Sequence, residues 1–389
     1  MRILLLSYYY PPDIGPGSLR AKSIVDALLE EGPSNLKIDV ITTIPNRYHS
    51  LNNLDLKDVN NNKVSINRIT LSQQKNGIVD QARCFASFSF IVQRLTSKKK
   101  WDIIIATSSR LMTASLATYI AKHSNSKIYL DIRDLFTDTI NDVFKNKFLR
   151  ILMPIFYSLE KWTFKSANKL NIVSGGFLNY IEKIAPKVSI STYTNGVDEI
   201  FIKNDFLSKK KSSKPLILYA GNIGDGQGLH KIIPNIANSL KDIQFKLIGD
   251  GRAKKLLIDN DLFKSLNNIE ISKPMLRNEL INEYQNADIL FLHLNDYKAF
   301  HKVLPSKIFE YAATGKPIIA GVSGYAAEFL KEEVKGVEVF DPCDVVSMKI
   351  GLEKLLNGPK IIDRGDFCSR FLRTKIMKKL AKDVLTLLN

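Results

Sequence analysis

Cysteine is scarce. Cys84, Cys343 and Cys368 are too few, too scattered and odd in number to build a disulfide framework or a zinc site. A reducing, cytoplasmic compartment fits. The five histidines, His49, His123, His230, His293 and His301, show no H-x-x-x-H or Cys/His spacing. Of these, only His301 falls beside a candidate site, and the others read as structural. Long apolar runs are missing too: those around Phe85–Val92 and Ile151–Leu159 fall well short of the roughly 20 residues that span a bilayer. At the N-terminus, MRILLLSYYYPP resembles a signal peptide only briefly. Pro11 and Pro12 cut it short and no small-residue cleavage site follows, so it reads as a buried first strand. The expected location is cytoplasmic, with a peripheral place on the inner face of the membrane as an option. Acidic residues are outnumbered, 39 against 56 Lys and Arg, for a net charge of +17. Lysines gather at Lys98–Lys100, Lys145–Lys165 and Lys209–Lys214 without the aromatic interleaving of a nucleic-acid module. The excess therefore reads as a solvated basic surface or as attraction to an anionic membrane or phosphorylated ligand, with no nucleic-acid partner expected.

What is present is alternation. With 389 residues, the chain exceeds what one core usually covers, so two domains are expected. Short β-rich runs at Arg2–Ser7, Lys37–Thr42, Val64–Thr70, Asp102–Thr107, Lys127–Asp131, Lys169–Val173 and Val188–Tyr193 are separated by helical patterns such as Ala21, Ile24, Val25, Leu28 and Leu29. The polar run Phe201–Lys214 reads as a linker or exposed loop. Alternation then resumes at Leu216–Tyr219, Gln244–Ile248, Ile269–Ile271, Ile289–Leu294, Pro317–Ala320 and Val337–Phe340, and ends in a helical stretch over Arg370–Leu388. No tandem repeat of solenoid length is present. The pattern predicts α/β architecture: two successive doubly wound domains with mainly parallel sheets.

Ligands of such sheets bind beyond the carboxyl ends of the strands, and three segments lie there. Pro11–Ser18 (PPDIGPGS) places Gly15 and Gly17 between the first strand and a helix start, where backbone can approach a ligand and amides can meet an anion. Arg20 occupies the third glycine position of a dinucleotide fingerprint, which excludes nicotinamide binding of that type. Tyr219–Leu229 (YAGNIGDGQGL) offers Gly221, Asn222, Gly224 and Gln227 in a turn suited to a diphosphate, without the ending of a Walker loop. In Leu304–Pro317, Ser306 is expected to cap a helix opening on Lys307, with Glu310 one turn on. Lys307 then meets a phosphate and Glu310 accepts from a ribose diol. An ordinary turn in each glycine-rich segment, and a solvated Lys–Glu pair in the third, are the plainer readings. Asp131–Asp134 ends a strand. There Arg133 suits a phosphate or sugar hydroxyl and Asp134 an acceptor hydroxyl, unless the pair merely stiffens a loop. Asp259-Asn260-Asp261 has a D-x-D pattern but reads as a helix end rather than a metal site.

These segments, with Asn195-Gly196-Val197-Asp198 and Ile248-Gly249-Asp250-Gly251, resemble in order the retaining glycosyltransferases of family 4, which have the GT-B fold. They look most like the branch that adds N-acetylfucosamine-type sugars to surface polysaccharide such as O-antigen or capsule. The resemblance implies two Rossmann-like domains facing a cleft. Residues 1–200 then take the acceptor and 201–369 the nucleotide-sugar, with the last helix, about residues 370–389, crossing back to the first domain. It implies a donor linked to UDP, a glycan or polyprenyl-diphosphate-linked acceptor, and no cofactor or metal. Configuration is kept by front-face attack assisted by the departing phosphate. Glu310 matches the second glutamate of the family's E-x7-E motif, while its first falls on Lys302, a departure. The family's Arg and Lys for the diphosphate are replaced by Asn222 and Gln227, which leaves Lys307, with Arg252 behind it, as the expected cation. Two alternatives remain open at this point: a sugar-nucleotide 2-epimerase of the same architecture, and a non-enzymatic basic protein that binds nucleic acid or lipid.

Overall fold

The computed structural model describes residues 1–13, 15–45, 62–71, 78–108, 110–143, 147–206 and 214–388. Two compact units form, Met1–Asn195 with Thr374–Asn389, and Gly196–Arg373. The first holds strands β1 (Arg2–Ser7), β2 (Lys37–Thr43), β3 (Val64–Ile69), β4 (Ile103–Ser108), β5 (Lys127–Ile132), β6 (Lys169–Ile172) and β7 (Ser189–Thr192). They make one parallel sheet in the order β3-β2-β1-β4-β5-β6-β7. Helices α1 (Pro16–Glu31), α2 (Ile78–Thr96), α3 (Leu111–Ser124), α4 (Phe136–Val143), α5 (Lys147–Lys165) and α6 (Leu178–Ile184) connect these strands. Ile3, Leu4, Leu5 and Leu6 are all fully buried, as expected of a strand covered on both faces.

In the second unit, α7 (Glu199–Ile202) precedes β8 (Leu216–Ala220), α8 (Leu229–Ser239), β9 (Gln244–Ile248), α9 (Lys254–Ile258), α10 (Asp261–Lys264), β10 (Ile269–Ser272) and α11 (Arg277–Asn286). Then come β11 (Ile289–His293), α12 (Lys307–Ala313), β12 (Ile318–Gly321), α13 (Tyr325–Glu333), β13 (Val337–Phe340), α14 (Val345–Leu356) and α15 (Gly365–Arg370). The parallel sheet runs β10-β9-β8-β11-β12-β13. Both orders reverse direction beside the unit's first strand, the topological switch of a doubly wound sheet. Among the described residues, no helix is long and apolar enough to cross a membrane.

Arg20 has a structural task. Its side chain is fully buried on α1 and forks onto Asp131 of β5, with Nε and Nη2 each 2.8 Å from a carboxylate oxygen. Its remaining donors reach the carbonyls of Tyr193 and Thr194, beyond β7. Asn171 of β6 adds a bond to Asp131. Burial pushes the Asp131 carboxyl up, but the Arg20 charge and these bonds outweigh it and hold the group below the usual carboxylate range.

Two expectations need correction. The last helix starts later than expected: α15 ends at Arg370, and α16 (Arg373–Leu385) opens after Phe371 and Leu372. Leu372 makes a β-bridge with Val197, the Val197 N–H donates to the Phe371 carbonyl, and the Phe371 ring packs on Phe309, Phe329 and Phe367. These contacts hold Phe371 and Leu372 out of the helix. Gly196 permits them, because a Cβ there lies 2.7 Å from Arg373 Cα. α16 itself is part of the first unit, where Asp383 accepts from Tyr129, Ser191 and Lys169. The run from Phe201 does not start as a linker, since Phe201 and Phe206 are buried and pack on each other, and Phe201 packs on Tyr284; residues 207–213 lie outside the description. Residues 144–146, ahead of α5, also lie outside the description.

Arg20→Ala leaves Asp131 charged and fully buried, so it is expected to destabilise the protein by about 3–5 kcal/mol. Urea unfolding measures this, and a loss below about 1 kcal/mol contradicts the role given to the pair.

Candidate functional site

In the first unit the carboxyl ends of the strands collect basic and aromatic groups. Gly15 precedes α1 as its cap residue, and the first turn of α1 carries Ser18, whose Oγ is buried with no hydrogen-bond partner among the described residues. Arg133, just past β5, lays its guanidinium over Gly17, where a Cβ would sit 2.3 Å from Nη1. Asp134 beside it is exposed. Two arginines outside the recognised motifs join this edge. Arg68 at the end of β3 donates to the Pro11 carbonyl, and Arg110 before α3 lies 4.3 Å over the Tyr8 ring and donates to Tyr9 Oη at 3.0 Å.

In the second unit the glycine-rich turn is closed by its own side chains. Asn222 Nδ2 donates to Gln227 Oε1 at 2.8 Å, and the Gly224 amide reaches the same oxygen at 3.3 Å. Gly249 makes the packing possible, since a Cβ there would fall 1.8 Å from the Gly221 carbonyl oxygen. Arg252 pairs with Asp225 at 3.0 Å and stays largely exposed. The 3₁₀ segment Lys298–Lys302 lies over this loop, with Phe300 against Gly226. In it His301 Nε2 meets Asp296 at 3.3 Å, and Lys302 is half-buried. Asp259-Asn260-Asp261 spans the junction of α9 and α10, where Asn260 caps α10 by accepting from the Phe263 amide at 3.0 Å. No group of three or more His, Cys, Asp or Glu among the described residues is placed to hold a metal ion.

The start of α12 carries the densest set of charges. Ser306 does not cap it: its backbone is already helical and its side chain makes no cap bond, so its hydroxyl is not in the extended geometry that reaches back to an amide. Lys307 Nζ lies 2.7 Å from Glu310 Oε2 and 3.0 Å from Tyr284 Oη, and Tyr284 Oη lies 3.3 Å from the same carboxylate oxygen. Beyond Tyr284, Phe201 packs on its ring, and the Arg277 guanidinium lies 4.9 Å over Phe201. Arg277 and Arg373 share one carboxylate, Asp198. Burial pushes the Glu310 carboxyl up, but the charges of Lys307 and Arg277 overcome it and hold the group below the ordinary glutamate range. Burial likewise lowers Lys307, and the Glu310 charge more than restores it, so both members are ionised at neutral pH. Tyr284, Arg277 and Arg373 carry no motif signal. In the sequence, Lys307 and Glu310 were visible from their spacing of one turn and from the match of Glu310 to the E-x7-E motif.

Residues 201–367 match the family model described as Glycosyl transferases group 1. The matched stretch lies within the second unit. A curated relative from Escherichia coli K12, described as a colanic acid biosynthesis glycosyl transferase, WcaI, is 25% identical over 299 residues, 71% of each chain. Among solved structures, sucrose-phosphate synthase from Thermosynechococcus elongatus superposes with a TM-score of 0.69 at 12% identity, covering 100% of this chain and 96% of that one. HepE from Anabaena, solved in complex with UDP, gives 0.66 at 13% identity over 99% and 100%. These likenesses show the fold: two parallel-sheet α/β units of the GT-B glycosyltransferase type.

Behind the glycine-rich turn His293 is buried. Its Nε2 accepts the Cys343 amide at 3.0 Å, so Nδ1 carries the proton and donates to the Gln227 carbonyl at 2.6 Å. Burial depresses its pKa to about 4. The unfolded chain binds a proton near pH 6.5 that the folded chain refuses, so stability is complete above pH 6.5 and falls as the pH drops towards 4. The gap corresponds to about 3 kcal/mol. Unfolding of wild type and His293→Asn across pH 7 to 4 is expected to show the wild type losing that much relative to the variant. Parallel curves contradict the neutral assignment.

Proposed function

We propose that the protein is a retaining glycosyltransferase of the family 4 type. It moves a sugar, N-acetylfucosamine or a related amino sugar, from a UDP-linked donor to a lipid-linked or polysaccharide acceptor in surface glycan synthesis. The observation that carries this reading is Glu310, an ionised, half-buried carboxylate on the first turn of α12 within the group 1 domain. Both of its described bonds fall on Oε2, and Oε1 is left to accept from a ribose hydroxyl. The relative named for colanic acid synthesis supports a surface polysaccharide product, and the UDP complex of HepE supports the nucleotide. The epimerase and the binding-protein readings lose ground to the domain match.

In the reaction, the anomeric C–O bond to the nucleoside diphosphate breaks while the acceptor oxygen bonds to the same carbon on the same face. The acceptor proton passes to the departing phosphate oxygen. Amides at the start of α8, the turn of Gly221, Asn222, Gly224 and Gln227, and the Arg252 cation meet the growing phosphate charge. In the first unit, this reading gives Gly15, Gly17 and Arg133 a ligand-binding role and has Asp134 orient the acceptor hydroxyl. His301 and Lys302 border the donor sugar in this reading. It requires no metal or organic cofactor.

The first unit is further proposed to rest on an anionic membrane through α5. Ile151 and Ile155, one turn apart, are 73% and 62% exposed, and Tyr157, Lys161 and Lys165 are exposed along the same helix. Flotation with phosphatidylglycerol vesicles is expected to carry the protein upward. Equal recovery with neutral vesicles removes this part of the proposal.

The donor test is a thermal-shift series with UDP, GDP, dTDP and ADP on wild type and Glu310→Ala. One nucleotide, UDP on this reading, is expected to stabilise wild type by about 2.7 kcal/mol at one hundred times its Kd and to lose that effect in the variant. No response to any nucleotide removes the reading.

A further inference from the structure

We infer that Lys307 and Tyr284 are positioning residues that clamp Glu310 for a ribose diol, and that Lys307 is not the cation that meets the diphosphate. This rests on the reading of Glu310 as a hydroxyl acceptor and adds a division of labour around it. Lys307 Nζ, Tyr284 Oη and Glu310 Oε2 form a closed triangle with sides of 2.7, 3.0 and 3.3 Å. The rings of Tyr284 and Tyr311 flank the ammonium, with centroids 5.8 and 5.9 Å away, and narrow the positions it can take. The side chains of Lys307 and Glu310 are only 24% and 12% exposed. An ammonium that left for a phosphate would strand the carboxylate with one neutral donor in poorly solvated surroundings. Tyr284 is fully buried and cannot follow it.

The clamp acts on one oxygen only. With Oε2 held, Oε1 keeps a fixed direction, which suits a carboxylate that must accept from a ribose hydroxyl. The charges around Glu310 serve the same end. Lys307 comes from its own helix and Arg277 from α11, while Asp198 ahead of α7 opposes them and is itself shared with Arg373. Tyr311 and Tyr219 are the further titratable groups that act on this triangle. The diphosphate is then left to the amides at the start of α8 and to Arg252.

A nucleoside and its diphosphate tell the two roles apart. Uridine and UDP, or the corresponding pair if another base stabilises the protein, are titrated against wild type, Lys307→Met, Tyr284→Phe and Glu310→Gln. The clamp predicts that Lys307→Met weakens nucleoside and diphosphate by the same factor, about tenfold, and Tyr284→Phe by a smaller common factor. It also predicts that nucleoside affinity in Lys307→Met falls between pH 7 and 5, where wild type is flat, because Glu310 without its ammonium takes up a proton at higher pH. A loss confined to the diphosphate makes Lys307 a phosphate cation and overturns the inference. So does an unchanged affinity for both ligands, or an equal loss without the pH response. If Lys307→Met does not fold, Tyr284→Phe decides, and unchanged nucleoside binding in that variant overturns the clamp. Glu310→Gln binding nucleoside like wild type removes the underlying reading of Glu310 instead.

Discussion

Buried charge must be compensated on the spot, and this constraint arranges both units. In the first, Arg20 and Asp131 neutralise each other where α1, β5, β6 and the residues beyond β7 meet. That bond fixes the direction in which α1 leaves the sheet, and therefore where Gly15, Gly17 and Ser18 stand relative to Arg133. In the second, Asp198 takes two guanidiniums and Glu310 takes an ammonium and a phenol. Charges paired in this way have few positions open to them. A site made of them is rigid before any ligand arrives, which is the condition for donors and acceptors to act without reorganising.

The strands were legible because a strand buried on both faces is a short, nearly continuous apolar run, and Ile3–Leu6 or Ile289–Leu294 can hardly be read otherwise. The glycine-rich turns were legible for a related reason: close backbone approach, as of Gly249 to the Gly221 carbonyl, tolerates no other residue. Partnerships across the chain were not. Arg20 and Asp131 are 111 positions apart, and Arg373 lies 175 from Asp198, so no local pattern links them. Arg20 looked like a missing glycine, when it is the residue that seals the unit. The break at Phe371 and Leu372 was hidden for the same reason: local periodicity continues the helix, while a bridge to Val197 and a cluster of phenylalanines override it. Phe201 shows the opposite error, an anchor of the core concealed in a lysine-rich run.

For function, the domain match and the geometry point the same way but bear on different things. The match lies within the second unit and gives its likeness to group 1 glycosyl transferases. The geometry concerns individual groups, above all Glu310. Where the sequence departs from the family it resembles, the structure offers neutral, mutually bonded side chains, Asn222 and Gln227, in place of cations. A donor diphosphate held by amides and by Arg252 is compatible with that substitution, and it makes the orientation of Glu310 more important to the affinity, since less of it comes from charge.

The most direct test is a crystal structure of the protein with the nucleoside diphosphate that stabilises it. The account predicts a ribose hydroxyl on Glu310 Oε1, phosphate oxygens against the amides that open α8, and Lys307 still bonded to Glu310. A nucleotide bound with its ribose away from Glu310, or found outside the second unit, would contradict it.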